Sequence, residues 1–236
     1  MESVKWAMLS CCIWSAVLDL TISYAYTPLY LFPTAASYSL GVFNNLGVSP
    51  GIQLSFVIAL FIGVGSSIGC LLQNRYTCIK QTVNDKSTIS PATIYVLNFA
   101  WNTIQNYMLF SRVPDQTSAK QEIFLQLPSN LPSYIYTAPI YIVSLEPILF
   151  GSLLLISLMI VQIECVIFAL GTFYYLYLQT TSKISSNTRK LQIKLFLAIC
   201  LQCLIPFIAV SFPVFYIFTS CTFSYYNQGD TIDEMV

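Results

Sequence analysis

Long apolar stretches separated by short polar segments dominate this sequence. A helix needs roughly 20 mainly apolar residues to cross about 30 Å of hydrocarbon. Five stretches approach that length, and they predict membrane-spanning helices at about residues 6–32, 51–72, 92–110, 148–178 and 191–220. We therefore expect an all-α membrane protein, a single transmembrane helical domain with no soluble domain of useful size.

The third predicted span is the least apolar, because four amide side chains lie along it: Asn98, Asn102, Gln105 and Asn106. The apolar run at 139–178 is too long for one crossing. Glu146-Pro147 marks where the fourth span begins, since proline favours the first turn of a helix. Pro206 and Pro213 predict kinks in the fifth span.

The segments between the spans are short and polar. The longest of them, 111–147, contains several prolines and is expected to be a structured loop. The tail from Asn227 to Val236 is acidic, and we expect it to be disordered.

Composition supports lipid as the surrounding medium. Hydrophobic residues make up 56% of the chain and charged residues 8%, whereas soluble domains carry roughly 25% charged residues. Such a chain cannot build a water-facing surface. The net charge is zero, so nothing favours a nucleic-acid partner.

The basic residues predict an orientation, because cytoplasmic segments are enriched in Lys and Arg. Five spans place eight of the ten basic residues on the side of the N-terminus: Lys5, Arg75, Lys80, Lys86, Lys183, Arg189, Lys190 and Lys194. Arg112 and Lys120 fall on the other side. The N-terminus is thus expected in the cytoplasm and the C-terminus outside.

Two acids lie inside predicted spans. A charged group near the centre of a helix costs roughly 2.5–3.5 kcal/mol on insertion scales, so Asp19 is expected to face the interior. It is either a buried polar switch or ion site, or a structural hydrogen bond. Glu164, with Asn102 and Gln105, either lines a polar cavity that opens outward or joins the helices by hydrogen bonds.

Small residues in the second span predict close helix packing. Gly65-Ser-Ser-Ile-Gly69 has the small-xxx-small spacing, which lacks the preceding strand that a phosphate loop needs. The eight cysteines do not form a disulfide framework, and Cys200-x-x-Cys203 lies in a membrane helix of a chain without histidine. With no nucleophile–base pair and no metal set, we expect neither a cofactor nor an enzyme.

Two polar clusters are predicted at one membrane face. Gln73-Asn74-Arg75-Tyr76 ends the second span, and Thr188 to Lys194 opens the last. Lys190 and Lys194 are four residues apart and share a helix face. Docking of a partner's helix and ordinary anchoring of the membrane boundary both explain these charges.

Several short segments, in a shared order, resemble the nematode serpentine chemoreceptors, most closely class H (Srh). They are residues 1–6, 14–21, 73–76, 113–116, 188–194 and 205–206. The resemblance implies a rhodopsin-like helix bundle. It also implies a seven-helix receptor in the plasma membrane, with sensory cilia as a candidate location, which senses environmental chemicals and signals through heterotrimeric G proteins.

The resemblance also implies roles for individual residues. Met1 would lie in the first intracellular loop, so the five spans correspond to family helices two to six, and helices one and seven are lacking. Asn74, Arg75 and Tyr76 resemble the segment closing helix three, although Gln73 replaces the usual acid. Lys190 and Lys194 match the inner end of helix six. The usual receptor disulfide has no counterpart.

The leading hypothesis is therefore a chemosensory receptor, or a truncated copy of one, that binds a small ligand between its helices. Two other classes stay open. One is a non-signalling membrane protein that pairs with full-length receptors. The other is a small transporter or channel subunit whose flux would depend on Asp19 or Glu164.

Overall fold

The computed structural model describes residues 2–31, 34–83, 90–126, 139–179 and 186–223. The long helices are α1 (Glu2–Leu20, continued by a π-helical segment, Thr21–Tyr26), α3 (Pro50–Val83), α4 (Pro91–Phe110), α6 (Pro147–Tyr174, continued by a π-helical segment, Tyr175–Gln179) and α7 (Ser186–Phe223). The short elements are β1 (Pro28–Leu31), β2 (Ala35–Ser39), α2 (Val42–Asn45), α5 (Gln116–Gln126) and β3 (Tyr141–Ser144). The acidic tail from Asn227 to Val236, Lys86 and Lys183 lie outside the described residues.

Within the described residues, four helices are long and apolar enough to cross a membrane: Lys5–Tyr26, Pro50–Gln81, Pro147–Tyr177 and Asn187–Phe223. Each overlaps a predicted span, although the second runs to Gln81 rather than ending at Leu72. The remaining long helix, α4, begins and ends within a residue of the predicted third span. Its amide side chains keep its hydropathy below that of the other four.

The first span ends at Tyr26 rather than Phe32, and the reason lies in the backbone at residues 27 and 28. Thr27 adopts a left-handed conformation with φ of 39°, and its N–H donates to the carbonyl of Ile22 at 3.1 Å. Pro28 has no N–H to continue the helical ladder. The chain therefore leaves the helix and enters β1.

The all-α membrane bundle also contains a three-stranded antiparallel sheet, in the order β1-β2-β3, that was not predicted from the sequence. Leu31 pairs with Ala36 in the β1–β2 hairpin, and Ala36 pairs with Ile142 of β3. Strands of four or five residues carry too little periodicity to be recognised in sequence. The pairing of β2 with β3 joins segments about 100 residues apart.

The chain divides into two compact units. The first unit comprises Met1–Val17, Ala59–Trp101 and Ser157–Ser211, and the second comprises Leu18–Ile58, Asn102–Ile156 and Phe212–Val236. The sheet, α2 and α5 all belong to the second unit.

The two faces of the sheet serve two apolar clusters of the second unit. Ala36 and Ile142 pack with Ala119 and Ile123 of α5. The next residues along each strand, Ala35 and Val143, point to the opposite face, as successive strand residues do. There they pack with side chains from α3, α4 and α6: Leu54, Ile58, Leu109, Phe150 and Leu153.

One glycine makes possible the turn that follows β2. A Cβ on Gly41 would lie 2.2 Å from the carbonyl oxygen of Ala25. The Gly41 N–H donates to the carbonyl of Tyr26 at 3.2 Å. This close backbone approach returns the chain to the end of the first span before α3 begins.

Two neighbouring residues fix the start of α5: one caps the helix and the other bonds it to the sheet. The Asp115 carboxylate caps the helix by accepting the Ser118 N–H at 3.1 Å, and this hydrogen bond holds the pKa of Asp115 below its usual value. Gln116 bonds the backbone of Ile142 twice: its Nε2 donates to the carbonyl at 3.1 Å, and its Oε1 accepts the N–H at 3.0 Å. Its side-chain amide thus takes the place of a further strand at the β3 edge.

Replacing Gln116 by alanine leaves both backbone groups of the fully buried Ile142 without this partner. An unsatisfied buried group costs about 1–3 kcal/mol, so we expect a loss of that order in unfolding free energy, measured by SDS titration of the purified protein in mixed micelles. Gln121→Ala removes an exposed glutamine from the same helix and is the matched control. An equal loss in both variants would contradict the role given to Gln116.

Candidate functional site

Glycines on α3 allow neighbouring helices of the first unit to approach its backbone. A Cβ on Gly63 would lie 2.4 Å from the Trp14 ring of α1, and one on Gly65 would lie 2.7 Å from Val161 Cγ1 of α6. At Gly69 there is room, since the nearest atoms would be 3.8–3.9 Å away, on Ile94 and Glu164. The two glycines of the predicted packing motif therefore have different surroundings.

Hydrogen bonds between side chains join α4 to α6. Asn98 Nδ2 donates to Glu164 Oε2 at 3.0 Å, and the Trp101 indole N–H donates to Ser157 Oγ at 2.9 Å. Asn98 was named only among the amides that make the third predicted span the least apolar, and it was not among the predicted site residues. Its spacing from Asn102 and Gln105 is the signal that could have found it, since positions i, i+4 and i+7 lie on one helix face.

These three amide residues of α4 are buried, with exposed fractions of 3% for Asn98, 7% for Asn102 and 0% for Gln105. Asn98 belongs to the first unit, and Asn102 and Gln105 belong to the second. The polar composition of α4 therefore reflects one buried amide face, opposite exposed apolar residues such as Val96 and Ile104.

A cavity of about 450 Å³ lies beside Glu164 in the first unit, and we call it the Glu164 groove. It is lined by Tyr76, Thr93, Ile94, Leu97, Glu164, Ile167, Phe168 and Gly171. The expected polar cavity was to contain Asn102 and Gln105 as well. Neither lines this groove, whose wall is mainly apolar.

Asp19 occupies a different position from the one expected. Its side chain is exposed rather than directed to the interior. Only 11% of the apolar segment of α1 is buried, so most positions on this helix face away from the rest of the chain. Asp19 belongs to the second unit and Glu164 to the first.

Tyr76 lies in an aromatic cluster at the end of α3. Its ring centroid is 5.9 Å from that of Phe168 and 5.7 Å from that of Tyr175, and the Lys80 amine lies 5.6 Å above it. Gly171 makes room for the ring, because a Cβ there would lie 2.8 Å from Tyr76 Cε2. Tyr76 thus packs against α6.

The neighbours of Tyr76 remain partly accessible. Asn74 Oδ1 accepts a weak hydrogen bond from the Cys78 thiol at 3.8 Å. Arg75 is half-buried, and its Nε has no hydrogen-bond partner among the residues that the structure describes.

The three basic residues at the start of α7 separate into two roles. Arg189 donates from Nε to the Leu176 carbonyl at 3.2 Å and from Nη2 to the Tyr177 carbonyl at 3.0 Å. It therefore ties α7 to the π-helical end of α6. Lys190 and Lys194 are exposed.

The ends of α3, α6 and α7 share a small apolar core. Ile79, Leu176 and Phe196 are buried together, with Ile193 packed against them. This core brings the helix carrying Asn74, Arg75 and Tyr76 close to the helix carrying Lys190 and Lys194.

Across the described part of the chain, no three histidine, cysteine or acidic residues come together in a way that could hold a metal ion. All eight cysteines lie in that part and none forms a disulfide.

Comparison with known proteins identifies a family and a relative. The family described as serpentine type 7TM GPCR chemoreceptor Srh matches residues 1–231. Serpentine receptor class H-72 of Caenorhabditis elegans is 24% identical over 210 residues, which are 87% of this chain and 60% of that relative. The chain thus spans less than two thirds of the relative's length. No solved structure matches it.

Alanine substitutions at Gly65 and Gly69 should have opposite effects. The Gly65→Ala methyl group meets the stiff Val161 side chain, and such overpacking costs roughly 1–3 kcal/mol. Gly69→Ala has room for its methyl group and should gain about 0.5–1 kcal/mol from helix propensity. SDS titration followed by circular dichroism measures both, and a destabilised Gly69→Ala variant would contradict the space assigned to that position.

Proposed function

This chain belongs to the serpentine class H (Srh) family of seven-transmembrane chemoreceptors, and we propose that it binds a small environmental molecule between its helices and acts on a heterotrimeric G protein. The surface proposed to face the G protein comprises Asn74, Arg75, Tyr76, Lys190 and Lys194. The observation that carries this proposal is the shared core of Ile79, Leu176 and Phe196, which holds the ends of α3 and α7 together.

Arg189 supports a mechanism for this surface. Its two hydrogen bonds to the end of α6 fix the start of α7, while Lys190 and Lys194 leave their amines exposed on the next two turns. A displacement of α7 would therefore move two positive charges relative to Arg75. Shifts of packed helices are a common way of switching in receptors and enzymes.

The ligand is proposed to bind in the second unit, where Asn102 and Gln105 are buried. Two buried acceptor oxygens of this unit, Gln53 Oε1 and Asn106 Oδ1, have no hydrogen-bond partner among the described residues. Buried acceptors of this kind favour a ligand with hydrogen-bond donors, since an unmet polar group inside a protein is costly.

Charge distribution supports the orientation that goes with this function. Six of the eight described basic residues belong to the first unit: Lys5, Arg75, Lys80, Arg189, Lys190 and Lys194. Arg112 and Lys120 belong to the second unit, together with Asp19, Asp115, Glu122 and Glu146. By the positive-inside rule the parts of the helices that carry these six residues are proposed to lie toward the cytoplasmic side, with the N-terminus inside and the C-terminus outside.

Removing two charges from the proposed surface should weaken G-protein binding. We expect Arg75→Ala combined with Lys194→Ala to raise the Kd for a purified heterotrimer about tenfold, which corresponds to roughly 1.4 kcal/mol. The full chain is placed in phosphatidylcholine nanodiscs, and binding of Gs-, Gi- and Gq-class heterotrimers is measured by biolayer interferometry.

The matched control for that experiment removes two basic residues of the second unit, Arg112→Ala with Lys120→Ala. It should leave the Kd unchanged. Equal weakening in both double variants, or no binding of any heterotrimer class to the unsubstituted chain, would contradict the proposed surface.

The orientation is tested with glycosylation acceptors, because the chain has no Asn-x-Ser/Thr sequence of its own. An acceptor fused after Val236 should be glycosylated in microsomes, and one fused before Met1 should not. If α4 does not cross the membrane, the crossings become even in number and both ends lie on one side. Identical behaviour of the two fusions would therefore rule out five crossings.

A further inference from the structure

Glu164 is the one charged residue of α6, a helix otherwise built from apolar and small polar side chains. An ionisable group within a membrane span is costly and usually has a partner. Asn98 supplies one hydrogen bond, to Oε2. Since a carboxylate has about four acceptor positions on its two oxygens, most of its capacity remains for another donor.

Among the described residues, no lysine or arginine forms an ion pair with this carboxylate. The basic residue at the groove's aromatic end, Lys80, instead lies over the Tyr76 ring. Glu164 therefore presents a negatively charged or strongly accepting group to the groove, without a matching cation from this part of the chain.

The groove has the form of a small-molecule site. Glu164, Ile167, Phe168 and Gly171 occupy positions i, i+3, i+4 and i+7 of α6, which form one stripe on the helix. Thr93, Ile94 and Leu97 of α4 and Tyr76 of α3 complete the wall. The volume of about 450 Å³ lies within the range of roughly 300–1,000 Å³ that ligand pockets occupy.

The groove opens at the surface of the first unit and is not enclosed in its core. Leu97 and Ile167 line it, yet each is 59% exposed. Because α6 is among the helices that are apolar enough to span a membrane, exposed side chains on it such as Ile167 are expected to face hydrocarbon. A Cβ on Gly69 would lie 3.9 Å from Glu164 Oε2, in ordinary van der Waals contact, so α3 does not crowd the carboxylate at this position.

We propose that the Glu164 groove binds a small membrane-dissolved molecule that has an apolar body and one hydrogen-bond-donating head, an amine or a hydroxyl. The head bonds to Glu164, and the body lies along Leu97, Ile167 and Phe168. A protonated amine forms a charge-assisted bond and a hydroxyl a neutral one. Fatty-acid anions are excluded, because their head repels the carboxylate.

This site lies in the first unit, whereas the other ligand position is proposed in the second, and it shares only Tyr76 with the surface proposed for the G protein. A bound molecule would contact three helices of the first unit at once. It would reach the groove through the bilayer and would not need to enter between the helices from water.

The test uses photoactivatable diazirine analogues of decylamine, decanol and decanoic acid, added to the full chain in phosphatidylcholine nanodiscs. Mass spectrometry of the labelled peptides locates each probe. The amine and the alcohol should label groove residues of α4 and α6 in a saturable manner, and excess unlabelled amine or alcohol should suppress it. The acid, measured at a pH at which it is ionised, should label them about tenfold less, as expected when a charge-assisted bond is replaced by repulsion.

Matched variants separate groove binding from general partitioning. Ile167→Trp fills the groove and should abolish saturable labelling, whereas Ile163→Trp changes a similarly exposed isoleucine one turn away that does not line the groove and should preserve it. Glu164→Gln keeps an acceptor for Asn98 but removes the charge. It should reduce amine labelling about tenfold and alcohol labelling less, which distinguishes the two head groups.

Three results would overturn the proposal: acid labelling equal to that of the amine and alcohol, labelling of the unsubstituted chain that does not saturate, or equal loss in Ile163→Trp and Ile167→Trp. The competition arm uses only the unsubstituted protein, so it decides the matter even if a variant misfolds. No G protein is present, and the outcome is independent of whether the chain signals.

Discussion

Close packing against the backbone of α3 is the constraint on which the first unit depends. Lipid tails are as apolar as leucine, so burial of apolar surface gives helices in a membrane little reason to associate, and van der Waals contact between closely approaching backbones takes its place. Gly63 admits Trp14, and Gly65 admits Val161. The result is a marked difference among the helices: 72% of the apolar segment of α3 is buried, against 11–17% for the corresponding segments of α1, α6 and α7. α3 provides the packing surface, and most of the apolar segments of the other three helices remain exposed.

Polar side chains complete what close packing begins. The amide residues of α4 lower the hydropathy of that helix, yet one of them, Asn98, donates to Glu164 of α6. Trp101 of α4 adds a second hydrogen bond, to Ser157 of α6. Inside a membrane the alternative for such groups is an unsatisfied donor or acceptor, which costs several kcal/mol. The marginal hydropathy of α4 and its role in joining helices therefore have the same cause. Glu164, once held by Asn98, is also the group that gives the adjacent groove its chemical preference.

The two units differ in their structural elements and in their charge. The second unit carries a small sheet, the capped helix α5 and buried amides, while the first carries most of the described basic residues and the shared core of α3, α6 and α7. Arg189 and its neighbours illustrate how similar charges acquire different tasks. Arg189 donates to two backbone carbonyls, whereas Lys190 and Lys194 remain exposed.

The sequence alone determined the medium, the positions of the helices and the family, because hydropathy over about 20 residues and short ordered motifs are local properties of the chain. The sheet, the exposure of Asp19, the bond from Asn98 to Glu164 and the anchoring of Arg189 were decided only by the tertiary structure. Each depends on which residues far apart in the chain come together, or on which way a helix turns its faces. Hydropathy could place Asp19 within a span, but the direction of its side chain depends on how little of α1 is buried. In the same way, only the fold showed that a neighbouring side chain occupies the space beside Gly65 but not the space beside Gly69. Identical residues four positions apart have different neighbours.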